Sequence, residues 1–141
     1  MMDTDDFDCH FRRAVSHDVE QLDRILHKAV LEIYGGFETG RPFVAQPLFS
    51  EIAIVGSEII GVAAFSDEVL TCLYVVDRFR NSGVGTCLLH NAMLSGVRAT
   101  TIPLSNVWGQ AFFEHRGWST RGEIEAKIFG AKTRVVALSF G

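Results

Sequence analysis

Apolar residues recur at Val19, Leu22, Ile25, Leu26, Ala29, Val30 and Ile33, a helical spacing that predicts one amphipathic helix. Ser16 stands where an N-cap is expected, Asp18 and Glu20 make the first turn acidic, and Gly35-Gly36 supplies the stop. Residues 11–15, just ahead, read as a strand. Periodicity is lost over residues 37–49, which carry Pro42, Pro47 and three phenylalanines; a short helix and a loop both fit.

The pattern then shortens to that of strands. Residues 51–55 and 58–65 flank Gly56-Ser57 and read as a β-hairpin. Ser66-Asp67 turns the chain into a strand over residues 69–76. A second helix follows, burying Val84, Leu88 and Ala92, with Leu89 and Met93 beside them. Residues 100–104 form another strand. It contains Pro103, which has no N–H to give a ladder, so this strand is either an edge or unpaired at that point. Residues 123–129 and 133–140, joined around Gly130-Ala131, make a terminal hairpin with Ile124, Ala126 and Ile128 on one face.

A chain of 141 residues, 48% hydrophobic, is read as one α/β domain spanning residues 1–141 with a substantial core. No apolar run is long enough to span a bilayer, and the acidic N-terminus does not resemble a signal peptide, so the expected location is cytoplasmic. Cys9, Cys72 and Cys87 form no CxxC pair and are expected to be reduced thiols. Cys87 and His90 are spaced as ligands on one helix turn, but no second pair follows, so no metal is expected. The net charge of −4 conceals a division. Residues 1–77 hold 14 acidic against 5 basic side chains, a balance of −9, while residues 78–121 hold five arginines against Glu114. A basic segment on an acidic protein suits a small polyanionic ligand better than nucleic acid, which would want a larger basic stripe.

That segment contains Arg80-Asn81-Ser82-Gly83-Val84-Gly85-Thr86 between a strand and a helix. Two glycines allow close backbone approach, the helix N-terminus offers unpartnered N–H groups, and Arg80 adds a charged fork: an anion cradle. It lacks the GK[ST] of a P-loop and the third glycine of a dinucleotide fold.

Arg80-x-x-Gly83-x-Gly85 resembles the R/Q-x-x-G-x-G/A signature of the GNAT superfamily, the acyl-CoA-dependent N-acetyltransferases. Residues 106–118, from Asn106 through Phe112-Phe113 to Gly117-Trp118, are similar to that family's N-x-x-A-x-x-F-Y-x-x-x-G-F motif. Gly109 replaces its alanine and Phe113 its tyrosine. The resemblance implies a mixed, mostly antiparallel sheet flanked by helices, with two central strands splayed around the pantetheine arm of coenzyme A. Pro103 would be tolerated at such a splay. The resemblance further implies acetyl-CoA as co-substrate. Leu73, Val75, Val76, Arg80, Asn81, Ser82, Gly83, Val84, Gly85, Thr86, Asn106, Phe112 and Phe113 would line its site. The implied reaction is transfer of an acetyl group to an amine by direct attack through a tetrahedral intermediate. The alternative is a non-catalytic acyl-CoA sensor or interaction module.

Acyl transfer to an amine needs a neutral amine, donors for the oxyanion and a proton or partner for the thiolate. A backbone N–H at Val75 or Val76 is the expected oxyanion donor. Strand alternation would put Glu68, Leu70, Cys72 and Tyr74 on one face, making Glu68 the nearest candidate base where the family often has a glutamate; a water chain is the other route. Phe113 has no hydroxyl, and His115 points away. Tyr74 is then the remaining candidate acid, unless the thiolate leaves unaided. The acceptor is a small-molecule or peptide amine: a cationic one, such as a polyamine, aminoglycoside or lysine, suits the acidic first half, and a hydrophobic one suits the phenylalanines of residues 37–49. No nucleic-acid or membrane partner is expected, and a homodimer is an allowed assembly.

Overall fold

In a computed structural model, residues 8–34, 50–128 and 131–141 are described. The predicted helix stop at Gly35-Gly36 and the Phe-rich residues 37–49 lie outside them. The alternating segments become β1 (Cys9–Arg13), β2 (Ser50–Val55), β3 (Glu58–Ser66), β4 (Val69–Val75), β5 (Ala99–Pro103), β6 (Trp118–Ile128) and β7 (Ala131–Phe140). The helical segments become α1 (Val19–Tyr34), α2 (Val84–Leu94) and α3 (Val107–Glu114). The strands form one sheet in the order β1-β2-β3-β4-β5-β7-β6. Every pairing is antiparallel except β4 with β5.

Burial explains the layering. Ile59 to Ala63 on β3 are consecutively buried, as a strand covered on both faces must be. A Cβ added at Gly61 would meet Val84 and Leu88, so α2 covers the Gly61 face. Val75 pairs with Gly61 and shares that face, while Tyr74 pairs with Val62 on the opposite face and hydrogen-bonds to α1. The sheet therefore separates α1 from α2, and β4 presents alternate residues to each. Val84, Leu88, Leu89 and Ala92 are buried as the periodicity requires; Met93 is only partly so.

Two local expectations change. Ser16 is not the cap of α1: residues Ser16–Asp18 form a 3₁₀ turn, and the Asp18 carboxylate accepts the Val15 N–H (2.8 Å) and the Arg12 guanidinium (2.7 and 3.1 Å). The last hairpin begins at Trp118, not 123, because Arg121 is bulged between paired Thr120 and Gly122, which breaks the strand pattern. On this hairpin Ile124 is 49% exposed.

The parallel contact at the centre of the sheet is short. Only Val69 with Ala99 and Leu70 with Thr100 are in register, although both strands run on. Beyond that point β4 and β5 diverge. Pro103 lies at this opening on an interior strand, not at an edge. The Leu104 N–H donates to Arg134 on β7 (3.0 Å), so alternation turns the nitrogen of residue 103 toward β4, where no ladder bond is needed.

Candidate functional site

The divergence of β4 and β5 opens a cleft of about 1390 Å³, walled by α1, β4, β5, α3 and the loop into α2. Its floor is set by backbone alternation on β4. The Val76 N–H donates to Ile60 O on β3 (2.9 Å), so Val76, just past the strand, does not carry the expected oxyanion donor. Leu73 and Val75 alternate with that bond and direct their N–H groups to the β5 side, where pairing has already ended. Both residues line the cleft.

A bulge sits on the same strand. Cys72 pairs with Ala64 and Leu70 with Phe65, leaving Thr71 extra, its hydroxyl donating to Ala64 O (3.0 Å). The simple alternation expected from residue 68 to residue 74 is thereby interrupted. Glu68 is not on the strand at all. It is exposed in the turn before β4, and its carbonyl accepts the N–H groups of Arg98 and Ala99 (2.8 and 3.0 Å). It stands seven positions of extended chain before Val75, about 23 Å, and it does not line the cleft. As a catalytic base, Glu68 is corrected by this position.

At the other end of β4 a 3₁₀ turn (Asp77–Phe79) leads into the cradle loop. Asn81 and Gly83 both adopt left-handed backbone, at φ 62° and 89°. Gly83 is the N-cap of α2 and offers no side chain to cap it. The first helical bond runs from Cys87 N–H to Gly83 O (3.1 Å), so the N–H groups of Val84, Gly85 and Thr86 are those a helix start leaves without helical partners. Ser82 does not point into the cradle; its hydroxyl donates to Phe79 O. Gly85 keeps the wall low: a Cβ there would stand 3.6 Å from Val75 and 3.7 Å from the Phe112 ring, inside the cleft. The result is a concave row of N–H groups at the positive end of a helix.

Two arginines flank it, with exchanged parts. Arg80, read from sequence as the fork at the mouth, is turned back over the end of β4. It donates to Val75 O (2.9 Å) and to Glu32 of α1 (2.6 Å). Arg116, from the turn after α3, instead reaches the first turn of α2. Its Nε and Nη2 both donate to Thr86 Oγ1 (3.1 and 2.8 Å), its Nη1 to Phe112 O (2.8 Å), and its guanidinium carbon lies 3.6 Å from the Phe112 ring centroid. The sequence signal for it was only the excess of arginine over residues 78–121.

On the α1 side, Tyr74 is 4% exposed and its hydroxyl donates to Glu32 Oε1 (2.8 Å). Burial first, then the adjacent Glu32 carboxylate, push this phenol up to about 12. That is a poor proton donor at neutral pH, and its hydrogen is already committed. Burial also acts to raise Glu32, but the hydrogen bonds from Arg80 and Tyr74, with the charge of Arg80, outweigh it and hold the carboxyl below its ordinary range. Glu32 is the acidic side chain among the described lining residues, and sequence reasoning missed it. Burial pushes the thiol of Cys72, another cleft-lining residue, up to about 12, which disfavours its thiolate form.

α3 closes the cleft. Asn106 is its N-cap, accepting the Gly109 N–H (3.0 Å). This explains glycine at 109: a Cβ would come within 2.6 Å of the Asn106 amide nitrogen. Phe112 lines the cleft, and Phe113 is 5% exposed, stacked edge-to-face on Phe112 and Trp118 at 5.3 and 4.9 Å between centroids. Among the described residues no three of His, Cys, Asp and Glu converge as metal ligands, and no helix is long and apolar enough to cross a membrane.

An open, paired-then-diverging parallel contact beside a glycine-capped helix is the decisive feature. The fold is that of the GNAT acetyltransferases. Apo YjaB from Escherichia coli superposes with a TM-score of 0.72 at 17% identity, over 94% of this chain and 97% of that one. A GNAT-family acetyltransferase from Streptococcus pneumoniae gives 0.72 at 16%, over 94% and 99%. YncA from Salmonella typhimurium, solved with its cofactor acetyl-CoA, gives 0.66 at 16%, over 92% and 91%. No family model matches the sequence, and no curated protein matches it.

Proposed function

We propose that this chain binds acetyl-CoA in the β4–β5 cleft and transfers its acetyl group to an amine approaching from the α1 side. One observation carries the reading: the Arg116 fork on Thr86, the glycine-capped start of α2 and the inward N–H groups of Leu73 and Val75 all face one opening. The first two suit phosphates, the third a pantetheine amide and a thioester carbonyl. The fit is steric as well, because Gly85 leaves free the space a side chain would fill between Val75 and Phe112. The GNAT fold and the cofactor in YncA support the same assignment.

The backbone N–H groups at the start of α2 and the Arg116 guanidinium would hold the phosphates, with Asn81 contributing its left-handed backbone and Asn106 fixing the start of α3. The co-substrate brings an activated acetyl thioester. The chain would contribute position and the cleft-facing Val75 N–H as a donor for the carbonyl oxygen, and the acceptor amine must arrive neutral. Glu32, kept ionised by Arg80 and Tyr74, is a weak base. The proton of an alkyl ammonium therefore leaves to solvent, and turnover rises toward alkaline pH. The acceptor is an amine, either cationic or hydrophobic.

A second reading is favoured by one feature, the side chains where a leaving-group acid would stand. Phe113 has no hydroxyl and Tyr74 has committed its own. A chain so equipped also suits a non-catalytic acyl-CoA binder. The test is thiol release from acetyl-CoA with spermidine, kanamycin, a lysyl peptide and an arylalkylamine, beside calorimetric titration with coenzyme A. Binding with turnover on any amine supports the enzyme. Binding with none, in both the parent and Phe113→Tyr, leaves the binder. No binding rejects both.

A further inference from the structure

Three elements meet at the Glu32 carboxylate. Glu32 projects from α1, on the sheet face opposite α2. Its Oε1 accepts the Tyr74 hydroxyl of β4 (2.8 Å), and its Oε2 accepts Arg80 Nη2 from the cradle loop (2.6 Å). The same guanidinium donates Nε to Val75 O (2.9 Å), reaches Asp77 (3.4 Å) and lies 5.2 Å from the Tyr74 ring centroid. Arg80 thus starts in the loop, crosses the end of β4 and is fastened to a helix 48 positions away in sequence.

An isolated ion pair as exposed as this one, at 38–40% of each side chain, holds little. Here one guanidinium is held by a carboxylate, a carbonyl, a second carboxylate and a ring, and the carboxylate is itself oriented by a buried phenol. Such a network fixes geometry where a single pair does not. The Val75 carbonyl lies on the same strand edge as the Val75 N–H that faces the cleft, so Arg80 also occupies the acceptor beside that donor. Lys28 lies near enough on α1 to act on Glu32 electrostatically, yet it makes none of these bonds.

We propose that Glu32 is a positioning residue for the cofactor loop: it orients Arg80 across the end of β4 and so sets the backbone of residues 80–86 from the far face of the sheet. The inference rests on the acetyl-CoA reading above. Glu32 meets the cradle loop through the Arg80 side chain, so its influence on the backbone of residues 81–86 passes through Arg80.

The experiment is calorimetric titration of coenzyme A into the parent, Glu32→Gln, Glu32→Ala, Arg80→Ala and the Glu32→Ala/Arg80→Ala double variant, with the melting temperature of each free protein. Each single variant is expected to raise Kd by about 3- to 30-fold, the range of coupling within a shared network. The double variant is expected to bind like Arg80→Ala alone, because both changes remove the same device. A general loss of stability would not produce that non-additivity. Unchanged affinity in both Glu32 variants, or losses that multiply in the double variant, overturns the proposal. Glu32→Gln, nearly isosteric, decides if the alanine variant melts early. A parent that does not bind coenzyme A overturns the cofactor reading itself; a parent that binds, with indifferent Glu32 variants, overturns only the positioning role.

Discussion

Arg116→Ala is the sharpest perturbation of the cradle. In the free protein its guanidinium rests on the Thr86 hydroxyl, the Phe112 carbonyl and the Phe112 ring. All three supports are near the surface, so removing the side chain should cost under about 1 kcal/mol of stability. The effect on a phosphate is larger. Arginine has five N–H donors in a planar fork, and three of them are used here, which leaves two for an anion without moving the ring. One charge-assisted contact of this kind contributes about 1.5–3 kcal/mol, equivalent to roughly 10- to 150-fold in Kd. Calorimetry with coenzyme A should show that loss, and raising the salt should weaken the variant less than the parent, because one charge contact is missing. Pantetheine, which carries no phosphate, is the control and should bind both proteins equally weakly. If Arg116→Ala binds coenzyme A like the parent, or loses pantetheine to the same degree, Arg116 does not serve the phosphates.

Two further predictions concern the scaffold. Gly83→Ala meets no atom within 4 Å but must adopt φ 89°, so it should destabilise by about 1–2 kcal/mol through the backbone alone and lower Tm by roughly 3–8 °C; a melt with no shift would show that the loop relaxes. The Asp18 carboxyl is held below its ordinary 3.8, chiefly by the Arg12 hydrogen bond, so its stabilisation is present above pH 3.8 and is lost as pH falls through the lower folded value; Arg12→Ala should flatten this acid limb of the unfolding curve, and an unchanged limb would contradict the pairing.

Local chemistry was legible before any fold was known. The helical period of residues 19–33, the hairpin around Gly56-Ser57 and the glycine turn at 83–85 each depend on neighbours a few positions apart. Each appears in the structure close to where the pattern put it. Pro103 marked its strand as either an edge or unpaired at that point, because a missing N–H is a property of the residue itself, while the splay was implied only by the family resemblance. What the sequence could not express was anything decided by pairing register or by distant contacts. The bulge at Thr71 and the turn position of Glu68 follow from how β4 meets β3, and they moved the expected base out of the site. The exchange between Arg80 and Arg116 was equally hidden. Both are arginines in one basic segment, and only the folded chain decides that one reaches 48 residues back to Glu32 while the other reaches 30 residues back to Thr86. Helix periods and turn glycines act through bonds and steric limits within a few residues, so sequence alone determines them. The direction of a long charged side chain is a contest among partners, which exists only once tertiary structure has brought those partners together.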